Sequence, residues 1–259
     1  MFRSFLERIS RTAPTRTSGR PPSGNGASSF HLFWEVPPVP LREVRATIEI
    51  IEPPTVDMLY FWALQVDVSD GGGRRGGAHF GLQYHPSYPE GGAVNWGGYH
   101  RGGGELDGSI SDLPSTLDNI NTRDYRWHPG RPYRYRVFPS PDRGWRGSIT
   151  DLTTGTETVV RDLHLEGDEL ARPMVWTECF AHCEHPSAAV RWSELGARTV
   201  DGEWFEVTDV RVNYQSHADG GCSNTDSSVA SDGAGAAAFV QRTGTDRQAD
   251  TGTRLTRRR

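Results

Sequence analysis

The chain has 259 residues, 35% of them hydrophobic and 10% aromatic, and its 30 Gly, 17 Pro and 8 Trp suit short strands joined by many turns. All 28 basic residues are Arg, which excludes Schiff-base and lysine-base chemistry within the chain. Net charge is −5, but the Arg-rich ends (residues 1–29 and 254–259) carry +4 each, so the body between them is strongly acidic, repels phosphate backbones and is not expected to bind nucleic acid.

Residues 1–29 begin with a short stretch that lacks the apolar run of a secretory signal and continue into a Ser/Thr/Pro/Gly/Arg segment with nothing to bury. They read as a disordered basic tail, and the chain as written reads as cytoplasmic, or secreted if its true start lies upstream. No stretch approaches the ~20 apolar residues of a membrane span, so no membrane insertion is expected.

From Phe30 the pattern changes to period two. Residues 44–50 (VRATIEI) alternate as a half-buried strand, and residues 58–68 (MLYFWALQVDV) read as a central one. A glycine-rich loop at 71–77 precedes strands at 79–85 (HFGLQYH) and 93–99 (AVNWGGY). Residues 133–137 (YRYRV) alternate cleanly, and 145–152 with 157–165 flank a Thr-Thr-Gly turn as a hairpin. Strands at 174–182, 188–193, 204–215, 236–242 and 252–256 complete the series. Neither a helical period nor an internal repeat is present. The expected architecture is one all-β domain over residues 30–256, a two-sheet antiparallel β-sandwich of jelly-roll type, because each sheet needs a second to cover its apolar face.

The strings GLQYH (81–85), NWGGY (95–99), GWRGSITDLTTG (144–155), VWTECFAHCEHP (175–186), VRWSEL (190–195) and GGCSNTD (220–226) resemble a group of bacterial β-sandwich proteins. That group in turn looks like the concanavalin A-like lectin and glucanase superfamily. The resemblance spans nearly all of 30–256 and implies a sandwich with sugars lying across a concave sheet. The laminarinase-type Glu-x-Asp-x-x-Glu strand is absent. Of the alginate-lyase strings, Gln83-Tyr84-His85 matches Gln-x-His alone, and Arg191…Glu194 lacks the Arg-x-Glu spacing.

Strand parity then selects candidates. Gln83 and His85 share a face, either as a hydroxyl-binding pair with His85 able to move a proton or as an ordinary surface pair. Asn95 and Tyr99 share a parity and Trp96 takes the other, which suits a ring-plus-amide sugar contact or a bulge with Trp96 in the core. Trp176 and Glu178 share a third face with Phe180 and His182; Glu178 is either a desolvated general acid or the partner of an Arg. Gln83, His85, Asn95, Tyr99, Trp176 and Glu178 are therefore the expected ligand-binding set, gathered on one sheet face.

Cys179 and Cys183, four residues apart on one extended strand, would stand ~13 Å apart. A disulfide among Cys179, Cys183 and Cys222 is then expected to use Cys222. His182 and His185 beside these cysteines lack a standard zinc spacing, so no metal or cofactor is expected. The leading functional expectation is a glycan-binding, lectin-like module. The alternatives are a polysaccharide hydrolase or lyase using Glu178, His85 or both, and an interaction domain with no small ligand.

Overall fold

The computed structural model describes residues 16–71, 73–116, 119–231 and 237–257. In chain order the strands are β1 (Ser28–Trp34), β2 (Leu41–Glu52), β3 (Tyr60–Asp70), β4 (Gly73–Tyr84), β5 (Gly92–His100), β6 (Ser115–Thr116), β7 (Asn119–Asp124), β8 (Pro132–Pro139) and β9 (Trp145–Asp151). They continue as β10 (Thr156–Leu163), β11 (Glu169–Cys179), β12 (Ala189–Thr199), β13 (Trp204–Glu206), β14 (Asp209–Tyr214), β15 (Thr225–Ser231), β16 (Ala237–Thr243) and β17 (Arg254–Thr256).

Every pairing is antiparallel. One layer runs β6-β7-β5-β4-β3-β11-β1-β14-β17. The other runs β15-β16-β12-β2-β8-β9-β10, with β13 beside the end of β12. A single pair, Leu170 with Leu41, joins them. The chain is an all-β sandwich.

Alternation explains the layering. In β3 and β4, Trp62, Leu64, Val66, Phe80 and Leu82 point inward and are 0–1% exposed. They meet Tyr133, Tyr135, Val137 and Trp192 of the second layer, with the Phe80 and Tyr135 rings 5.2 Å apart at 65°. Several buried polar atoms between the layers are paired across strands. The Tyr135 hydroxyl accepts the Leu82 N–H at 2.8 Å. Gln241 of β16 accepts from Trp192 Nε1 (2.9 Å) and Thr177 Oγ1 (3.1 Å), and its Nε2 donates to the Phe30 carbonyl (2.8 Å). A buried amide used three times in this way fixes the relative position of four strands.

Several elements differ from the sequence expectation. The segment expected as a tail over 1–29 divides: residues 1–15 lie outside the described residues, residues 16–27 run along the body, and Ser28 and Ser29 open β1. Thr17 bonds Asn224 and Ser223, and the Gly19 N–H donates to Glu184. Strand β1 alternates as SSFHLFW and begins two residues inside that segment, where the Ser-rich composition hides its start. The glycine-rich loop at 71–77 is mostly strand, with Asp70 opposite Gly73 and paired residues onward from there. Strand β12 continues past Ser193 because a bulge, with Glu194 at φ 47°, resets its alternation. Strand β11 starts earlier than expected and stops at Cys179, so Phe180 and His182 leave the sheet. Strands β6, β7 and β15 had no clear period-two signal.

Cys183 and Cys222 form a disulfide with Cα atoms 5.4 Å apart, and Cys179 is a free, buried thiol. The bridge uses Cys222, as the spacing predicts, and Cys183 sits in the turn after β11 rather than on the strand.

Candidate functional site

Register across the first layer builds a face that points away from the core. Opposed residues of neighbouring antiparallel strands share a face, so each row can be read across the sheet. One row is Ser29–Glu178–Phe61–Gln83–Ala93. The next is His31–Trp176–Ala63–Gly81–Asn95–Thr122. A third is Phe33–Met174–Gln65–His79–Gly97, and a fourth brings Asp67 and Gly77 to Tyr99.

Five of the six candidates, Gln83, Asn95, Tyr99, Trp176 and Glu178, therefore lie on this one face. His85 does not join Gln83 there. Strand β4 ends at Tyr84, and the His85 N–H turns to the Gly91 carbonyl at 3.1 Å. The His85 Nδ1 accepts the Ser87 N–H at 3.1 Å, which makes it part of the turn. Trp96, of opposite parity to Asn95, is 0% exposed in the core.

The centre of the face is a cluster of rings. Ala63 and Gly81 leave a gap between Trp176 and Asn95, and larger neighbours fill it. Gly81 admits nothing larger: a Cβ there would stand 1.9 Å from the Trp62 carbonyl oxygen. Over the gap, Phe61 packs edge-on against Trp176 (4.9 Å, 75°) and against His79 (5.6 Å, 77°). His79 reaches Trp176 at 6.2 Å and Tyr99 at 6.3 Å, and His31 closes the other side of Trp176 at 6.3 Å. Phe61, Ala63, Met174 and Trp176 make a cluster separate from the main core. Trp176 is only 7% exposed, whereas Tyr99 at 49% is the open ring.

Polar groups border the rings. The Gln65 carboxamide oxygen accepts Trp176 Nε1 at 3.0 Å, and the Gln83 oxygen accepts the Tyr88 hydroxyl at 3.0 Å. Asn95 donates to Thr122 Oγ1 at 2.9 Å. Burial pushes the Glu178 carboxyl above the usual carboxylate range, offset in part by a 3.4 Å hydrogen bond from Asn25. Glu178 takes no Arg partner among the described residues. Burial also holds His31 and His79 down to about 4, so both are neutral at pH 7.

Sequence parity found Trp176, Glu178, Gln83, Asn95 and Tyr99 but missed Phe61, Gln65, His79 and His31. Gln65 and His79 carried a signal, since His79 shares parity with Gln83. Phe61 and His31 read as core residues until their strands were placed. Among the described residues, no three His, Cys, Asp or Glu side chains come together to hold a metal ion. His182 and His185 instead stack on each other at 4.9 Å in the turn after β11. Two open clefts, of about 450 and 520 Å³, lie elsewhere, one beside Trp34 and Pro37 and the other beside Arg45 and Trp204.

Neither a protein-family model nor a curated protein matches the chain. Similar solved structures include scytalido-glutamic peptidase with a peptide-based transition-state analogue, at 12% identity and TM-score 0.42, covering 88% of this chain and 99% of that one. Alginate lyase Aly36B with an alginate tetrasaccharide gives 10% identity and TM-score 0.30, covering 88% and 91%. Peanut lectin with a nonapeptide gives 11% identity and TM-score 0.26, covering 87% and 77%. All are β-sandwich neighbours at most, and their ligands differ in kind, so the site itself must carry any functional reading.

Proposed function

We propose that the outer face of the first layer binds a carbohydrate. The observation that carries this reading is the open ring of Tyr99 on the outward face of a sheet, backed by the largely buried rings of His79, Phe61 and Trp176 and bordered by the Gln65 amide, by Glu178 and by the Gln83 and Asn95 amides, which are 6% exposed. An apolar ring surface edged by donors and acceptors matches the C–H faces and hydroxyls of a sugar. The fixed amides favour it too: Trp176 and Tyr88 each occupy one amide oxygen, which turns the Gln65 and Gln83 NH₂ groups into oriented donors.

The test is a glycan array followed by titration of the best ligand into wild type, Tyr99→Ala and Trp176→Ala. Tyr99 is exposed, so its loss leaves folding intact and reports binding alone. Trp176→Ala is expected to weaken binding by about 1–3 kcal/mol. Equal affinity in all three proteins would remove the site. A second reading, polysaccharide cleavage, is favoured by Glu178, whose raised carboxyl suits a general acid. Release of reducing or unsaturated ends by wild type and not by Glu178→Gln supports it.

A further inference from the structure

A pair of buried guanidinium groups lies well away from this face, at the side of the sandwich where β7 and β10 approach. Arg123 is 5% exposed and Arg161 is 2% exposed. Register shows that both point inward. Arg123 opposes the core residue Val94, and Arg161 opposes Gly147, whose position is packed against Trp96. Arg161 Nη1 donates to the Ile120 carbonyl and to Asn121 Oδ1, each at 3.0 Å. Its Nε, the Nε and Nη2 of Arg123, and Trp96 Nε1 are buried with no acceptor.

Neither Arg has a carboxylate within ion-pair distance among the described residues. Two effects hold Arg161 below the usual Arg range, burial first and its neighbour Arg123 second; Asp107 opposes them weakly from an exposed position. A guanidinium does not lose its proton inside a protein, so burial cannot be relieved by neutralisation. Two buried cations with no carboxylate partner among the described residues, close enough for one to act on the other, are among the costliest arrangements a core can hold. Four buried donor atoms without a partner among the described residues, in a region where Arg161 already uses the Ile120 and Asn121 oxygens, describe a receptor for negative charge. The walls are close: a Cβ at Gly108 would stand 2.1 Å from Arg161 Nη2 and one at Gly147 would stand 2.9 Å from Trp96. Such walls favour a monatomic occupant over an organic acid.

We propose that Arg123, Arg161 and Trp96 form an internal anion site that takes chloride and ties β7 of one layer to β10 of the other. The test is thermal unfolding of the full chain at constant ionic strength, with sodium chloride replacing sodium isethionate. Chloride should raise the wild-type midpoint by about 2–4 °C, the response of a chain this size to roughly fivefold mass-action stabilisation. Arg123→Met, which keeps an apolar stem of similar reach, should lose that dependence. If this variant does not fold, wild-type crystals soaked in bromide decide the matter, with an anomalous peak expected between the two guanidinium groups. Midpoints that ignore the anion, a chloride response that persists in Arg123→Met, or water density alone at the site would each overturn the proposal.

Discussion

Glu178 of β11 and Gln83 of β4 stand in one row of the outer face, on either side of Phe61. The ring keeps the acid about 10 Å, two strand spacings, from an amide whose own oxygen is already taken by Tyr88.

The raised carboxyl of Glu178 has a consequence for stability. Burial raises it in the folded chain relative to the unfolded one, so the folded state binds the proton more tightly. Stability linked to this group is therefore present below the unfolded value of about 4.5 and is lost as pH rises through the folded value. Glu178→Gln is expected to stabilise the protein at pH 7 and to make no difference near pH 4. Urea unfolding of both proteins at the two pH values checks this. Equal stabilisation at both would mean that the charge is not the cause.

The two histidines act in the opposite sense. His31 and His79 are held near 4, below their usual 6.5, so between those values the unfolded chain takes up protons that the folded chain refuses. Stability from each is complete above pH 6.5 and falls as pH drops toward 4, by up to about 3–3.5 kcal/mol per residue. His79→Gln should flatten part of that acid slope. NMR titration of the imidazole resonances gives a direct reading, and midpoints near 6.5 for both would refute the assignment.

Gln241 provides a test of how the layers are joined. Replacing it with Leu leaves the Trp192 indole N–H, the Thr177 hydroxyl and the Phe30 carbonyl without their partner. The expected loss is at least about 2 kcal/mol, since each buried group left unpaired costs roughly 1–3 kcal/mol. Guanidinium unfolding of Gln241→Leu measures it, and a loss under half a kcal/mol would show that water replaces the amide.

The Cys183–Cys222 bridge closes a loop with a sequence separation of 39. The chain-entropy account gives about 4 kcal/mol for a loop of that size, so Cys222→Ser should lower unfolding stability by roughly 2–4 kcal/mol. The bridge also anchors the segment before β1 and the start of that strand, because the Cys183 N–H donates to the Gly19 carbonyl and the Cys222 N–H to Ser28 Oγ. Limited proteolysis within residues 16–27 should accordingly accelerate in the variant.

The sequence was most informative where one face of a strand is buried and the other is wet. Residues 133–137 alternate in the chain and in the sheet because Tyr133, Tyr135 and Val137 enter the core while Arg134 and Arg136 reach Glu194 and Glu43. The same rule separated Trp176 and Glu178 from Thr177, and Asn95 from Trp96. It fails where both faces are covered. Phe61 and Trp62 are 5% and 1% exposed on opposite sides of β3, so composition could not tell a core ring from a site ring. Nor could it show that β11 lies between β1 and β3, a pairing of distant segments that brings His31 to one side of Trp176 and His79 to the other. His85 shows the limit of parity, which holds only while the strand continues.

The borders of the two layers bear on how the chain behaves at high concentration. An uncovered strand edge is a template on which another chain can add. Here the first layer ends in β6, two residues long, and β17, three residues long, which opens with Arg254 and is followed by Arg257. On the second layer, β10 is covered along part of its length: Ser109 donates to the Asp162 carbonyl, His164 donates to the Asp107 carbonyl, and Gly108 bridges to Leu163. Three of the four margins thus offer an approaching strand little to pair with. At β15 the first half is covered as well, since the Ser227 N–H donates to the Tyr214 hydroxyl and Arg247 Nε donates to the Thr225 carbonyl, so only the exposed end of that strand, residues 229–231, is left for an added strand to pair with.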